Sequence, residues 1–289
     1  MQDQRTVQLR FAIARYYQLK AQVAHPLLME AMMLFEGFVC DWLLYQIIPR
    51  QGQPRSGGAM PAVSEEAITY SSLGRSTAEF LQQEVAPVYV HCVADSVVEL
   101  VAETLAMCVD LDESVVAKSS DVLFKLGLFA SIYVGWKQLI CNPHLRARLV
   151  EVLAYVLEAS GRDKDERHTS LLPLQLESEE RRFEDHVLVQ NILVENVLRV
   201  FIDTEDSGAD MLFEQKYRYR HLIYNVLCSV WQRPAYQHSV HALSEAAQGV
   251  YPSLPIFLRF LHLLFNDAMA LLDRSLEVCG MRLCVCMCV

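Results

Sequence analysis

Apolar residues recur at three- and four-residue intervals along most of the chain, the spacing that gathers them on one face of an α-helix. Over 7–23, Leu9, Ile13, Tyr16, Tyr17 and Lys20 keep this spacing until His25-Pro26 interrupts it. Over 27–48 the pattern carries Met29, Met32, Met33, Phe35 and Trp42 and stops before Pro49. Helical spacing resumes over 76–84, and Pro87 opens an apolar run through Val97, Val98, Val101, Leu105 and Cys108 that reaches a break at Asp110–Ser114. The next helix is predicted over 115–140. Within it Gly127 and Gly135 each lower helix propensity by about 1 kcal/mol, so close packing or a bend is expected there.

Asn142-Pro143 reads as a helix start: Asn accepts a bond from an orphan amide, and Pro at the first position loses none. The helix it opens turns Leu145, Leu149, Val152, Leu153 and Val156 toward a core. A charged stretch over 160–182 is expected to be a solvated loop. The segment 183–202 is apolar on more than half its circumference, which predicts a helix sandwiched between neighbours. An acidic turn is expected over 203–210, a helix or helix pair over 211–231 ended by Pro234, and a further helix over 239–249. The last, 256–277, places Phe257, Leu261, Leu264, Phe265, Ala268 and Leu272 on one face.

No Asn-Gly or Asp-Gly hairpin pair occurs, and alternation of apolar and polar residues does not persist. The fold class expected is therefore all-α, an elongated armadillo-like stack of irregular helix pairs, although no clean repeat at 34 or 40 residues is visible. The chain divides into an N-terminal helical part of the core (1–48), a Gly- and Pro-rich linker or loop (49–66), the main core (67–277) and a Cys-rich tail (278–289).

Composition narrows the function classes. With 53% hydrophobic and 21% charged residues the chain is a packed protein, and its net charge of −10 opposes counterion-driven binding to nucleic acid. Every long apolar run is broken by charge before the roughly 18 residues that a membrane span needs, and the polar N-terminus has no signal-peptide pattern. Cys40, Cys92, Cys108, Cys141 and Cys228 lie inside apolar helical stretches, where reduced cysteine acts as a small hydrophobe. A cytoplasmic chain is expected, with the nucleus as a second compartment and neither membrane nor nucleic acid as partner.

Candidate chemistry is sparse. The phosphate-binding glycine loop, His-Glu-x-x-His, Gly-x-Ser-x-Gly and Cys-x-x-Cys texts are all missing. His91 and Cys92 are helix neighbours that point to different faces, and the pair His238/His241 reads as a solvated helix edge. The acidic stretch 203–210 lacks the ligand schedule of a calcium loop. Asn266 and Asp267 stand among Phe260, Leu264, Phe265 and Met269, so they either pair with a neighbouring helix, the general rule, or face a partner; they are the partner-contact candidates. The tail, with Cys284, Cys286 and Cys288 at period two, specifies no metal geometry and is read as a disordered or aberrant ending. No catalytic, cofactor or metal residue is assigned.

Three blocks, in order, carry a resemblance: Asn142-Pro143-His144-Leu145-Arg146 through Leu153; Phe213-Glu214-Gln215-Lys216-Tyr217; and Phe257-Leu258-Arg259-Phe260-Leu261 through Asp273. With Val194–Asp203 between them, they resemble the core of the ubiquitin conjugation factors that elongate ubiquitin chains, the Ufd-two type of U-box protein. The A-type animal branch is the most similar, mainly through Phe-Glu-Gln-Lys. The resemblance implies an armadillo-like core ahead of a U-box that recruits a charged ubiquitin-conjugating enzyme. It also implies a role in ubiquitin-dependent degradation, with the valosin-containing AAA segregase and the ubiquitin machinery as partners. The transfer chemistry then belongs to the partner enzyme's cysteine. A U-box needs on the order of 70 residues and only 16 follow Asp273, so this chain is expected to be a truncated form, inactive alone as a transferase. The competing reading of the residues is a generic helical-repeat adaptor unrelated to ubiquitin.

Overall fold

The computed structural model describes residues 2–47, 95–137, 139–166, 183–206, 213–248 and 254–287. Linker 49–66, the helical pattern at 76–84, His91, Cys92, and residues 167–182 and 207–210 of the two expected loops lie outside them. Among the described residues there are nine α-helices, one 3₁₀ turn and no strand, so the fold is all-α. The helices are α1 (Gln2–Val23), α2 (Pro26–Ile47), α3 (Asp95–Lys118), α4 (Ser120–Tyr133), α5 (Pro143–Glu166), α6 (Val187–Asp206), α7 (Phe213–Trp231), α8 (Pro234–Ala246) and α9 (Ile256–Met287). The 3₁₀ turn, Phe183–Asp185, precedes α6.

Local chemistry explains most boundaries. Pro26 and Pro143 sit at the first positions of α2 and α5, and the Asn142 side-chain oxygen accepts the His144 amide at 3.0 Å. The break expected at 110–114 is a kink at Asp112, whose extended backbone (φ −157°, ψ 94°) lets its carboxylate accept both the amide and the hydroxyl of Ser114. That restarts the helix as an N-cap would, and the same bonds lower the Asp112 pKa.

Several expected boundaries are corrected. The helix read over 115–140 is interrupted at Ser119, whose hydroxyl donates back to the Val115 carbonyl at 3.1 Å, and α4 runs only from Ser120 to Tyr133. Pro234 opens α8 instead of merely ending α7, so that helix starts five residues before the expected Ser239. α5 continues to Glu166 and α6 to Asp206, through residues expected in loops, because no proline interrupts either stretch. The last helix continues to Met287 across most of the segment expected to be a disordered tail; Leu and Met are good helix formers and no Pro stops it.

The helices pack in a regular order. α2 lies against α3 and α4, α3 against α4 and α5, α4 against α5 and α6, α5 against α6 and α7, and α6 against α7, α8 and α9. Each of these helices thus meets the next and the next but one, which sets α2, α4, α6 and α8 in one row and α3, α5 and α7 in a second. One apolar core runs through both rows from Met29 of α2 to Phe260 of α9. α4 is its most enclosed element, with Val122 to Tyr133 buried apart from Lys125.

The two glycines singled out by propensity mark close approaches. A Cβ at Gly127 would fall 2.5 Å from the Phe183 ring, and one at Gly135 would fall 2.0 Å from the Asn196 side chain. Their absence lets the 3₁₀ turn and α6 close on α4. Asn196 then donates to the Ser131 carbonyl at 2.9 Å, and Ser131 in turn donates to the Gly127 carbonyl at 2.6 Å.

Candidate interaction surface

The first and third of the blocks that carry the family resemblance each meet the 194–203 stretch of α6. Arg146, from the first turn of α5, is 1% exposed and donates to Asp203 of α6 at 2.7 Å, while Lys137 reaches the other oxygen of the same carboxylate at 3.2 Å. Asp203, expected in a loop, is therefore the helical counter-ion of a buried guanidinium. Arg220 of α7 pairs with Glu205 of α6 at 2.6 Å and with Asp267 of α9 at 3.0 Å. Tyr224 donates to the second Asp267 oxygen at 3.4 Å. Phe201 of α6 meets Phe260 of α9 edge to face, with ring centroids 5.1 Å apart.

Burial raises the Asp267 pKa, with Arg220 opposing it, and the Tyr224 phenol is pushed up to about 12 by burial and by the Asp267 charge. Through these contacts the groups act as locks between α6, α7 and α9. A third lock joins Glu184 of the 3₁₀ turn to Arg233 at 2.6 Å, with Asp185 on the same guanidinium, while the Tyr236 hydroxyl donates to the Glu184 carbonyl at 2.7 Å. Across α3, α5 and α7, Glu103, Arg148, Glu151 and Arg218 form a ladder of ion pairs on the surface.

The two partner-contact candidates separate. Asp267 is engaged inside the molecule, whereas Asn266 is exposed beside Phe265. The face of α9 turned to the core is Phe257, Phe260, Leu261 and Leu264; Phe265, Ala268 and Leu272, expected on it, are exposed. From Phe265 the helix carries an outward apolar stripe, Phe265, Met269, Leu272 and Leu276, with Phe265 66% exposed. α2 has a similar outer stripe of Leu27, Leu34, Phe35, Phe38 and Trp42, its inner one being Met29, Met33, Cys40, Leu43 and Leu44. The side chains described for α1, including Leu9, Phe11, Tyr16 and Tyr17, are mostly exposed. These faces, together with the ion-pair ladder, are the molecule's candidate contact surfaces.

Reactive groups are not gathered. Among the described residues no three His, Cys, Asp or Glu side chains could share a metal ion; His238 and His241 are exposed. No described helix is long and apolar enough to cross a membrane. Of the cysteines expected to act as core residues, Cys40 and Cys108 are buried, but Cys141 and Cys228 are exposed, since they fall on the outward side of their segments.

Sequence reasoning passed over Arg146 and Glu36 although their phase was visible. Arg146 falls on the face of Leu149, Val150 and Leu153, and Glu36 falls between Met33 and Cys40 on the buried face of α2. A charged residue in register with a core stripe was the available signal.

A family model described as the ubiquitin elongating factor core matches residues 1–278. The chain belongs to this family. Ubiquitin conjugation factor E4 A of Rattus norvegicus is 34% identical over 170 residues, 57% of this chain and 15% of the relative. The probable ubiquitin conjugation factor E4 of Arabidopsis thaliana is 32% identical over 150 residues, 52% of the chain and 13% of the relative. Ubiquitin conjugation factor E4 of Schizosaccharomyces pombe is 26% identical over 194 residues, 67% of the chain and 17% of the relative. The chain thus corresponds to a small part of each of these relatives, within the elongating factor core. No solved structure matches it. Membership in the elongating factor core family sets aside the adaptor unrelated to ubiquitin.

Proposed function

We propose that this chain is a scaffold segment of a ubiquitin-chain elongation factor acting in ubiquitin-dependent protein degradation, and that its helices form an armadillo-like stack. Contacts between each helix and the next but one are what such a solenoid requires, because each repeat buries its apolar face only against neighbours. The observation that carries the reading is the use made of the family blocks: Arg146, Asp203, Phe201, Phe260 and Asp267 fasten helices to one another. A body so fastened keeps its outer faces in fixed relation, which suits positioning of partners better than chemistry of its own.

In this reading transfer takes place at the thiol of a charged conjugating enzyme, recruited by a U-box elsewhere in the factor, and this chain alone has no transferase activity. Its partners are the ubiquitin machinery and the valosin-containing AAA segregase, in the cytoplasm and the nucleus. Asn266, exposed on the outer face of α9, is the contact residue favoured.

Titration calorimetry with purified segregase, ubiquitin and ubiquitin-charged conjugating enzyme tests the assignment. Binding of segregase or ubiquitin, with the charged enzyme bound only after fusion of a U-box, is the expected result. Failure to bind any of the three, with or without the fusion, would contradict it. Where binding is seen, Met269→Glu combined with Asn266→Arg should weaken it at least tenfold while leaving the thermal midpoint unchanged, since both residues are exposed.

A further inference from the structure

The junction between α2 and α3 contains a buried acid that has no ion-pair partner among the described residues. Glu36 is 1% exposed, on the face of α2 that carries Met33 and Cys40. The Thr104 hydroxyl of α3 donates to its carboxyl group, while Oε2 has no hydrogen-bond partner among the described residues. Among the described residues, the titratable and charged groups around it offer no free base. α2 itself contributes Cys40 and Asp41, α3 contributes Cys108, and α4 contributes Asp121 and Lys125. Lys125 is held by Asp41 at 3.0 Å and by Asp121 at 2.8 Å, so it neutralises those carboxylates and not Glu36. Both thiols sit in the field of Glu36, which helps to raise their pKa values.

A carboxylate in this position lacks both water and a counter-ion, whereas a carboxylic acid fits, because its O–H supplies a donor and removes the charge. We propose that Glu36 is a proton-sensitive latch between α2 and α3: protonated, it lies dry between them, and ionised, it draws water into the junction and lets α2 part from the body. This does not depend on the ubiquitin assignment. Burial pushes the Glu36 pKa up to about 7, with the Thr104 bond opposing the rise, so the latch responds on the acid side of neutrality, between 4.5 and about 7.

The sign follows from proton binding. The closed junction holds the proton up to about pH 7, while the opened one releases it near the ordinary value of 4.5. Opening is therefore favoured as pH rises between these values and levels off above 7. From pH 6 to pH 8 the opened population should grow about tenfold.

Native-state hydrogen exchange of the α2 and α3 amides, corrected for intrinsic rates, measures this opening. The wild-type chain should show the tenfold rise and Glu36→Gln should show none. A flat wild-type profile, or the same rise in the Gln variant, would overturn the latch. Carboxyl carbon NMR of the wild-type protein gives a second reading that needs no variant: a Glu36 midpoint near 7 supports it, and a midpoint at or below 5 refutes it.

Discussion

Arg146 shows how much a single charge can hold once it is buried. Its guanidinium is enclosed where α5 meets α6, and Asp203 is the carboxylate that compensates it. Removing one partner of such a pair leaves the other desolvated and alone, which is far more destabilising than losing a surface bridge. Asp203→Ala should therefore lower unfolding stability by about 3 kcal/mol, read as a fall in the urea midpoint. Lys137→Ala, which touches the same carboxylate from solvent, should change it by less than about 1 kcal/mol. Gly127→Ala should destabilise by about 1–3 kcal/mol, because the new methyl must displace the Phe183 ring. Phe183→Leu should recover part of that loss in a double-mutant cycle, since the shorter side chain frees space over Gly127.

The close packing at both glycines was legible in the sequence, because a residue that weakens a helix is kept only where something else requires it. The role of Arg146 was not read: its phase with the core stripe signals burial but does not say what compensates the charge. Its partner lies 57 positions away, and no local pattern links the two.

Elements were easier to read than their ends. All nine described helices overlap segments where three- and four-residue spacing placed helical pattern, and Pro26 and Pro143 start helices as their chemistry dictates. Boundaries failed where one signal has two meanings. Pro234 stops one helix and begins another, and Asp203 is as much at home in a final helical turn as in a loop.

The core-facing side of α9 was misjudged for a different reason. Only its first turns, as far as Leu264, pack on the core, and from Ala268 to Leu276 every side chain is exposed whatever its helical phase. Phe260, packed edge to face on Phe201, should be the anchor of the helix: Phe260→Ala should destabilise by about 3 kcal/mol, whereas Leu272→Ala, on the outer stripe, should be within about 0.5 kcal/mol of wild type. Tyr236→Phe, which removes the hydroxyl that donates to the Glu184 carbonyl, should lower stability by about 1 kcal/mol. Chemical denaturation of the three variants checks all of these values.

At the scale of the whole molecule, each helix from α2 to α6 meets the next and the next but one, ion pairs cross between helices, and the chain is a member of the ubiquitin elongating factor core family. The all-helical class was legible in periodicity alone. Membership was legible only because several blocks, each unremarkable as a helix, occur in order. The spatial meaning of those on α5, α6 and α9, as locks between helices, needed the folded chain. The proposal that such a body positions partners while another protein's thiol performs the transfer is tested most directly by reconstitution. With activating enzyme, conjugating enzyme and ubiquitin present, the rate of ubiquitin-chain growth is measured with no addition, with this chain, and with this chain fused to a U-box. The account predicts that the chain leaves the rate unchanged and that the fusion raises it; chain growth driven by the unfused protein would contradict it.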